Sequence, residues 1–144
     1  MEQVGNMRLF SSTFQMPESK RKAMVNVISK LKQQVVWRWE TEMPDQPSNL
    51  FLHKWLPQQD ILGHPNTRMF VTHGGQSSLQ EAWCHKVPTV VLSVFGDQDI
   101  NGQDVERLAT GKKMNFCAPT VDLSLIKSFQ LSPHIVSGPL HSLC

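Results

Sequence analysis

The stretch Val71-Thr72-His73-Gly74-Gly75-Gln76-Ser77-Ser78 decides the fold. Its first residues end an apolar, partly β-branched run over 68–72, which predicts a strand. Paired glycines then turn the chain, and 76–85 reads as a helix. Such a strand-to-helix turn lets backbone N–H groups approach an anion, and the helix N-terminus favours negative charge there. Gly-Gly also serves tight turning alone, and that reading stands beside the first. The chain has no GxGxxG and no GxxxxGK[ST], so ordinary dinucleotide and P-loop sites are not supported.

Upstream, 17–33 reads as an amphipathic helix with Ala23, Met24, Val27, Ile28 and Leu31 on one stripe. The lysines and arginine around that stripe read as a solvated face. Residues 35–39 and 50–55 predict strands, separated by a loop holding Pro44 and Pro47, and 57–62 predicts a short helix. Downstream come a strand over 90–92, a helix over 99–109, a strand over 113–116 and a helical pattern over 122–129. Strand and helix alternate throughout, which predicts an α/β fold: a Rossmann-like parallel sheet with flanking helices. Residues before Gly5 are too few and too polar for a buried central strand. Residues 1–16 therefore read as a truncated start and loop, 17–130 as the α/β domain, and 131–144 as a disordered tail broken by Pro133, Gly138 and Pro139.

Length and composition narrow the classes. The 144 residues and 16.4 kDa suit one domain with one core. Hydrophobic residues at 40% and charged residues at 18% set the chain apart from disordered sequences. A formal charge of +2 argues against a nucleic-acid partner. No apolar run approaches the roughly 20 residues of a membrane helix, and Met1-Glu2-Gln3-Val4-Gly5 does not open a secretory signal. Cys84, Cys117 and Cys144 form no CxxC pair, and His64, His73 and His85 show no HxxxH or HxxH spacing. Neither a zinc knuckle nor a disulfide framework is suggested, and Cys84 and His85 read as packing and surface residues.

From Trp55 to Asn101 the chain resembles the UDP-glycosyltransferase family. The resemblance lies in Trp55-Leu56-Pro57-Gln58, Thr72-His73-Gly74-Gly75, Glu81-Ala82, and Phe95-Gly96-Asp97-Gln98 with Asn101, matched in order and spacing. It is strongest to the animal branch that glycosylates small lipophilic compounds. It implies the C-terminal, donor-binding half of a GT-B glycosyltransferase, incomplete at both ends, with the family's first donor-domain strand missing or replaced around Gln3-Val4-Gly5. Carried over, Trp55 stacks on uracil and Gln58 lies near base and ribose. His73 and the amides around Gly74, Gly75, Ser77 and Ser78 cradle the diphosphate. Glu81 accepts from the ribose hydroxyls, and Asp97 and Gln98 hold the sugar. The plant motif has Trp at the place of Gln76 and Asn at the place of Ser77. UDP-sugar is then the donor substrate, with no cofactor and no metal.

Several of these residues have plainer readings. Ser78-x-x-Glu81 has capping-box spacing, so Glu81 also reads as a tie at the helix start. Trp55 alone reads as a core or surface aromatic, and His73 as a structural strand-end residue. Asp97-Gln98-Asp99 is a DxD, which in another glycosyltransferase architecture holds a divalent cation. Here it follows the strand over 90–92, so Asp97 and Gln98 read as sugar contacts and Asp99 as a helix-start residue.

The family resemblance implies inverting transfer of a hexosyl group to a hydroxyl of a small lipophilic acceptor. It also implies a catalytic His–Asp pair in an N-terminal lobe with no counterpart here, so no catalytic residue is expected in this chain. The alternative is a non-catalytic UDP-sugar-binding module, or a partner of a full-length relative. Family members are endoplasmic-reticulum membrane proteins; this chain, expressed alone, is expected to be soluble or cytoplasmic.

Overall fold

The structure, a computed structural model, describes residues 7–11, 16–94 and 96–116. Among the described residues, six strands and four helices lie in the order β1 (Met7–Ser11), α1 (Glu18–Ser29), β2 (Gln34–Arg38), β3 (Leu50–His53), α2 (Gln58–Gly63), β4 (Thr67–Thr72), α3 (Gln76–Cys84), β5 (Thr89–Ser93), α4 (Gly96–Arg107) and β6 (Gly111–Asn115). All strand pairs are parallel, and the sheet order is β3-β2-β1-β4-β5-β6. That order reverses direction between β1 and β4, and in such sheets ligands bind beyond the carboxyl ends of the strands at the reversal.

Strands β4 and β5 bury both faces, as parallel strands covered by helices do. Met69, Val71, Val90 and Leu92 point to a core shared with Met24, Val25 and Ile28 of α1. Phe70 packs with Leu62 and Ala82 on the other face, and Val91 packs there with Leu79 and Val105. The alternation is the two-residue period of a strand. Each fully buried side chain of this kind contributes about 1.5–3 kcal/mol. Among the described residues, α1 is the helix that packs on this face.

The main correction concerns the start of the chain. Residues 1–16 were expected to contribute no strand, yet Met7–Ser11 forms β1 at the centre of the sheet, paired with both β2 and β4. The segment has Arg8 as its second residue and no β-branched residue, so propensity does not mark it; hydrogen bonding on both edges does. The expected 17–33 helix is shorter, with Pro17 as N-cap and Lys30 as C-cap. Asn49 ends it, donating from Nδ2 to the carbonyls of Ile28 (2.8 Å), Leu31 (3.1 Å) and Gln33 (3.1 Å). The helical pattern over 122–129 and the tail over 131–144 lie outside the described residues. Cys84 is disulfide-bonded, which the cysteine spacing did not suggest; Cys117 and Cys144 lie outside the described residues. No helix among the described residues is long and apolar enough to cross a membrane.

Two helices end in the same way. At the end of α4, Thr110 N–H donates to Val105 and Ala109 N–H to Glu106; at the end of α3, Val87 N–H donates to Ala82 and Lys86 N–H to Trp83. These are Schellman pairs, which require a left-handed residue. Ala109 (φ 54°) and Lys86 (φ 56°) fill that position where glycine is usual. The left-handed conformation costs a non-glycine residue about 1–2 kcal/mol, and glycine's greater unfolded-state freedom offsets part of that. Ala109→Gly is expected to raise stability by up to about 1 kcal/mol, read as a higher urea midpoint with unchanged slope.

Candidate functional site

Because every strand is parallel, the β3–α2, β4–α3 and β5–α4 connections emerge at one edge of the sheet. The middle one is built on glycine. Gly74 has φ 92°, a left-handed value, and a Cβ there would lie 2.7 Å from Val91 Cγ1 and 3.4 Å from the Gln98 carbonyl oxygen. A side chain would be strained by the backbone and blocked by β5. Gly74 N–H donates to Thr72 Oγ1 at 3.3 Å, and its carbonyl accepts from Asn101 Nδ2 at 2.8 Å. Gly75 is the N-cap of α3 and caps without a side-chain bond. A Cβ on Gly75 would stand 3.2 Å from His73 Nε2, so the half-buried imidazole lies against the start of α3. The opening N–H groups of α3, on Gln76, Ser77 and Ser78, have no carbonyl one turn back within the helix, as at every helix start. They point out of its positive end.

Glu81 lies in the middle of α3, not at its cap. With Gly75 as N-cap, Ser78 is the third helical residue, and the capping-box reading of Ser78-x-x-Glu81 is ruled out. Glu81 instead accepts from Gln58 Nε2 at 2.6 Å and from Gln59 Nε2 at 3.4 Å. Gln58 Nε2 also approaches Ser78 Oγ at 3.3 Å. Packing between Leu62 of α2 and Ala82 of α3 holds the two helices together. The carboxylate is thus fixed by neutral donors rather than by a cation, an arrangement that exchanges readily with hydroxyl donors.

Trp55 was expected at the end of a strand. β3 stops at His53, and Trp55 stands in the following loop with 71% of its surface exposed. Arg38 Nε reaches the Lys54 carbonyl at 3.4 Å and Trp39 N–H the His53 carbonyl at 2.9 Å, which anchors the base of that loop. An exposed tryptophan on an anchored loop is a free stacking face.

Helix α4 begins at Gly96, three residues before the sequence pattern placed it. Asp97 is exposed on its first turn, as is Ser77 on α3. Gln98 Oε1 accepts from Val94 N–H at 3.0 Å, a reach-back across the helix start. Asp99 does not cap: Oδ1 meets Lys113 Nζ at 2.7 Å and Ser93 Oγ at 3.4 Å, and Oδ2 accepts from Gln103 at 3.1 Å. The DxD pattern therefore splits, with one carboxylate in solvent and the other on a lysine. Sequence reasoning missed Gln59 as a partner of Glu81, and gave Asn101 no task. Placing the helix start at Gly96 would have put Asp97, Gln98 and Asn101 on one face by their spacing. A separate cleft of about 520 Å³ lies at the ends of β2 and β3, lined by Trp39, Glu40, Thr41, Glu42, Leu52 and Lys54. None of the expected site residues lines it.

A fully parallel 3-2-1-4-5-6 sheet with a Gly-Gly turn opening a helix is a Rossmann-like α/β arrangement, and the solved structures it resembles are GT-B glycosyltransferases. The family model for UDP-glucoronosyl and UDP-glucosyl transferase matches residues 4–124, and the chain belongs to that family. Human UDP-glucuronosyltransferase 1A9 is 40% identical over 108 residues, covering 74% of this chain and 20% of that protein. UDP-glycosyltransferase UGT5 of Dactylopius coccus is 39% identical over 101 residues, covering 69% of this chain and 19% of that protein. The chain thus spans about a fifth of the length of these relatives. Among solved structures, the kitacinnamycin glycotransferase superposes with a TM-score of 0.80 at 25% identity, over 97% of this chain and 38% of that one. Arabidopsis thaliana UGT89C1, complexed with UDP, gives 0.77 at 16% identity, over 99% and 38%, and shares the fold.

The Asp99–Lys113 pair gives a pH test. The Lys113 hydrogen bond holds the Asp99 carboxyl below the ordinary carboxylate value, with Gln103 and Ser93 adding to the effect. A depressed folded-state pKa stabilises the fold above the unfolded value and loses that contribution as pH falls through the folded one. The stability gap between wild type and Lys113→Met is therefore expected at pH 7 and should shrink as pH drops below about 3.9. Urea midpoints across that range measure it. A gap that stays constant with pH would remove the ion pair from the account.

Proposed function

We propose that this chain is a donor-binding domain that holds a UDP-sugar across the β3–α2, β4–α3 and β5–α4 connections. The observation that carries the reading is the Glu81 carboxylate, held by Gln58 at 2.6 Å on the helix that Gly74 and Gly75 open. Vicinal ribose hydroxyls are donors, and a carboxylate fixed by two amides meets them with charge-assisted bonds. Trp55 offers a face for uracil, with Gln58 beside it. The amides of Gly75, Ser77 and Ser78, with the His73 imidazole, face the diphosphate. Asp97 and Gln98 meet the sugar hydroxyls. Of the Gln98 side chain, Oε1 accepts from Val94 N–H.

In the whole enzyme the reaction would be inverting transfer of a hexosyl group to a hydroxyl of a small lipophilic acceptor. As the bond to the anomeric carbon breaks, negative charge builds on the departing UDP. Preoriented N–H groups at the start of α3 stabilise that charge without a cation, and removing one such donor typically costs about 10²–10³ in rate. A base within reach of the acceptor hydroxyl is also required. Every residue named above serves the UDP side. On this reading the named residues hold the donor and its leaving group, and deprotonating the acceptor hydroxyl falls to a base outside this set.

UDP and UDP-sugars are expected to bind more tightly than ADP-sugars or NAD in calorimetric titration, and EDTA should leave UDP binding unchanged. Equal affinity for adenine nucleotides would sink the uracil assignment, and rescue by magnesium after EDTA would restore the DxD reading.

Glu81→Ala should weaken UDP binding by about tenfold, or 1.4 kcal/mol. It should weaken 2′,3′-dideoxy-UDP far less. Equal losses for the two nucleotides would return Glu81 to a structural role.

A further inference from the structure

Asn101 makes a contact that the donor-site assignments leave unused. Its Nδ2 donates to the Gly74 carbonyl at 2.8 Å. Gly74 carries φ 92°, and a Cβ on it would stand 3.4 Å from the Gln98 carbonyl oxygen. The β4–α3 turn and α4 are therefore in direct contact at this glycine. No described peptide is cis, so the planar Gly74–Gly75 peptide directs its C=O and N–H to opposite sides. Holding the carbonyl toward α4 aims the Gly75 N–H away from α4, at the N-cap of α3. A hydrogen bond to the carbonyl also polarises the same peptide and strengthens its N–H as a donor.

Asn101 also lies four residues after Asp97 and three after Gln98 on α4, the spacings that share one helix face. The same side chain thus registers the end of α4 that carries Asp97 and Gln98 against the turn that opens α3. Its chemistry fits the task. An amide donor is required by a carbonyl acceptor; aspartate would face that carbonyl with lone pairs and add a negative charge beside an anion site.

We infer that Asn101 is a positioning residue of the donor site, which aims the Gly75 N–H through the Gly74 carbonyl and locks the sugar-facing end of α4 to the diphosphate-facing turn. The inference rests on the UDP-sugar reading above and adds a residue that touches no substrate atom. Its signature is selective. Uridine engages the Trp55, Gln58 and Glu81 side of the site and should not sense Asn101, whereas diphosphate and sugar should.

The test uses the full 144-residue chain as wild type, Asn101→Asp and Asn101→Ala, titrated with uridine, UMP, UDP and UDP-glucose. The wild-type ratio of UDP to uridine affinity is expected to fall at least tenfold in Asn101→Asp and about fivefold in Asn101→Ala. Uridine affinity itself should stay within twofold, and the gain from UDP to UDP-glucose should vanish in both variants. Equal losses for all ligands, or no loss for any, would overturn the inference. Should both variants fail to fold, the wild type still decides. The Gly75 amide and the Asn101 side-chain amide should shift in ¹H–¹⁵N spectra with UDP and not with uridine, and identical shifts for the two ligands would overturn it. Wild type that binds uridine but gains nothing from the diphosphate, or binds no uracil ligand at all, would fail the donor-site reading and carry this inference down with it. Intact wild-type UDP binding with an unchanged ratio in the variants would fail this inference alone.

Discussion

The close approach at Gly74 is the constraint on which the rest of the site depends. Its left-handed backbone, with Val91 Cγ1 2.7 Å from where a Cβ would be, lets the β4–α3 turn lie directly on β5. From that contact follow the start of α3 at Gln76, the placement of Glu81 in the body of the helix, and the bond from Asn101. Any side chain at 74 would force the turn off the sheet and separate α3 from α4. Two assignments that look independent in sequence, a diphosphate turn and a sugar-binding pair, are one packed unit.

That unit is held in place by the order of the sheet. β4 has β1 on one side and β5 on the other, and its buried residues alternate between the α1 core and the core under α2 and α3. A strand buried on both faces cannot slip by one residue without exchanging its two cores. The register of Phe70 with Thr89 and of Thr72 with Val91 is therefore fixed, and with it the height of the Gly-Gly turn above the sheet edge. The precision of a site made of loops comes from the least mobile layer beneath them.

The α/β alternation was legible in the sequence because β4 and β5 are apolar enough to announce burial on both sides, and because α1 and α3 carry apolar stripes. The Gly-Gly turn was legible because glycine is the residue that such a backbone requires. β1 was not: Met7-Arg8-Leu9-Phe10-Ser11 has the composition of an ordinary segment, and its central place is set by partners far away in sequence. The start of α4 was missed for a related reason. Gly96, Asp97 and Asp99 are poor helix formers, but the Gln98 reach-back to Val94 and the Lys113 bond to Asp99 hold the first turn closed. Among the site residues, types and spacings were readable, while partners were not. Nothing in the spacing distinguishes a Glu81 that caps from one held by Gln58 and Gln59; only the position of Gly75 as N-cap does.

The two glutamines on Glu81 suggest why this carboxylate is suited to a reversible ligand. A lysine or arginine in their place would bind it more strongly and would leave hydroxyl donors a poorer exchange. A carboxylate with no partner would be free to rotate, and its ordering would be charged against binding. Neutral amides occupy the middle ground, fixing the rotamer at 2.6 Å and 3.4 Å while surrendering bonds of ordinary strength. The contrast with Asp99 is within the same fold. There the partner is Lys113, the pKa is held down, and the carboxylate works to fasten α4 against β6. Two acidic side chains one helix apart thus differ in the charge of their partners, neutral amides on Glu81 and the Lys113 ammonium on Asp99.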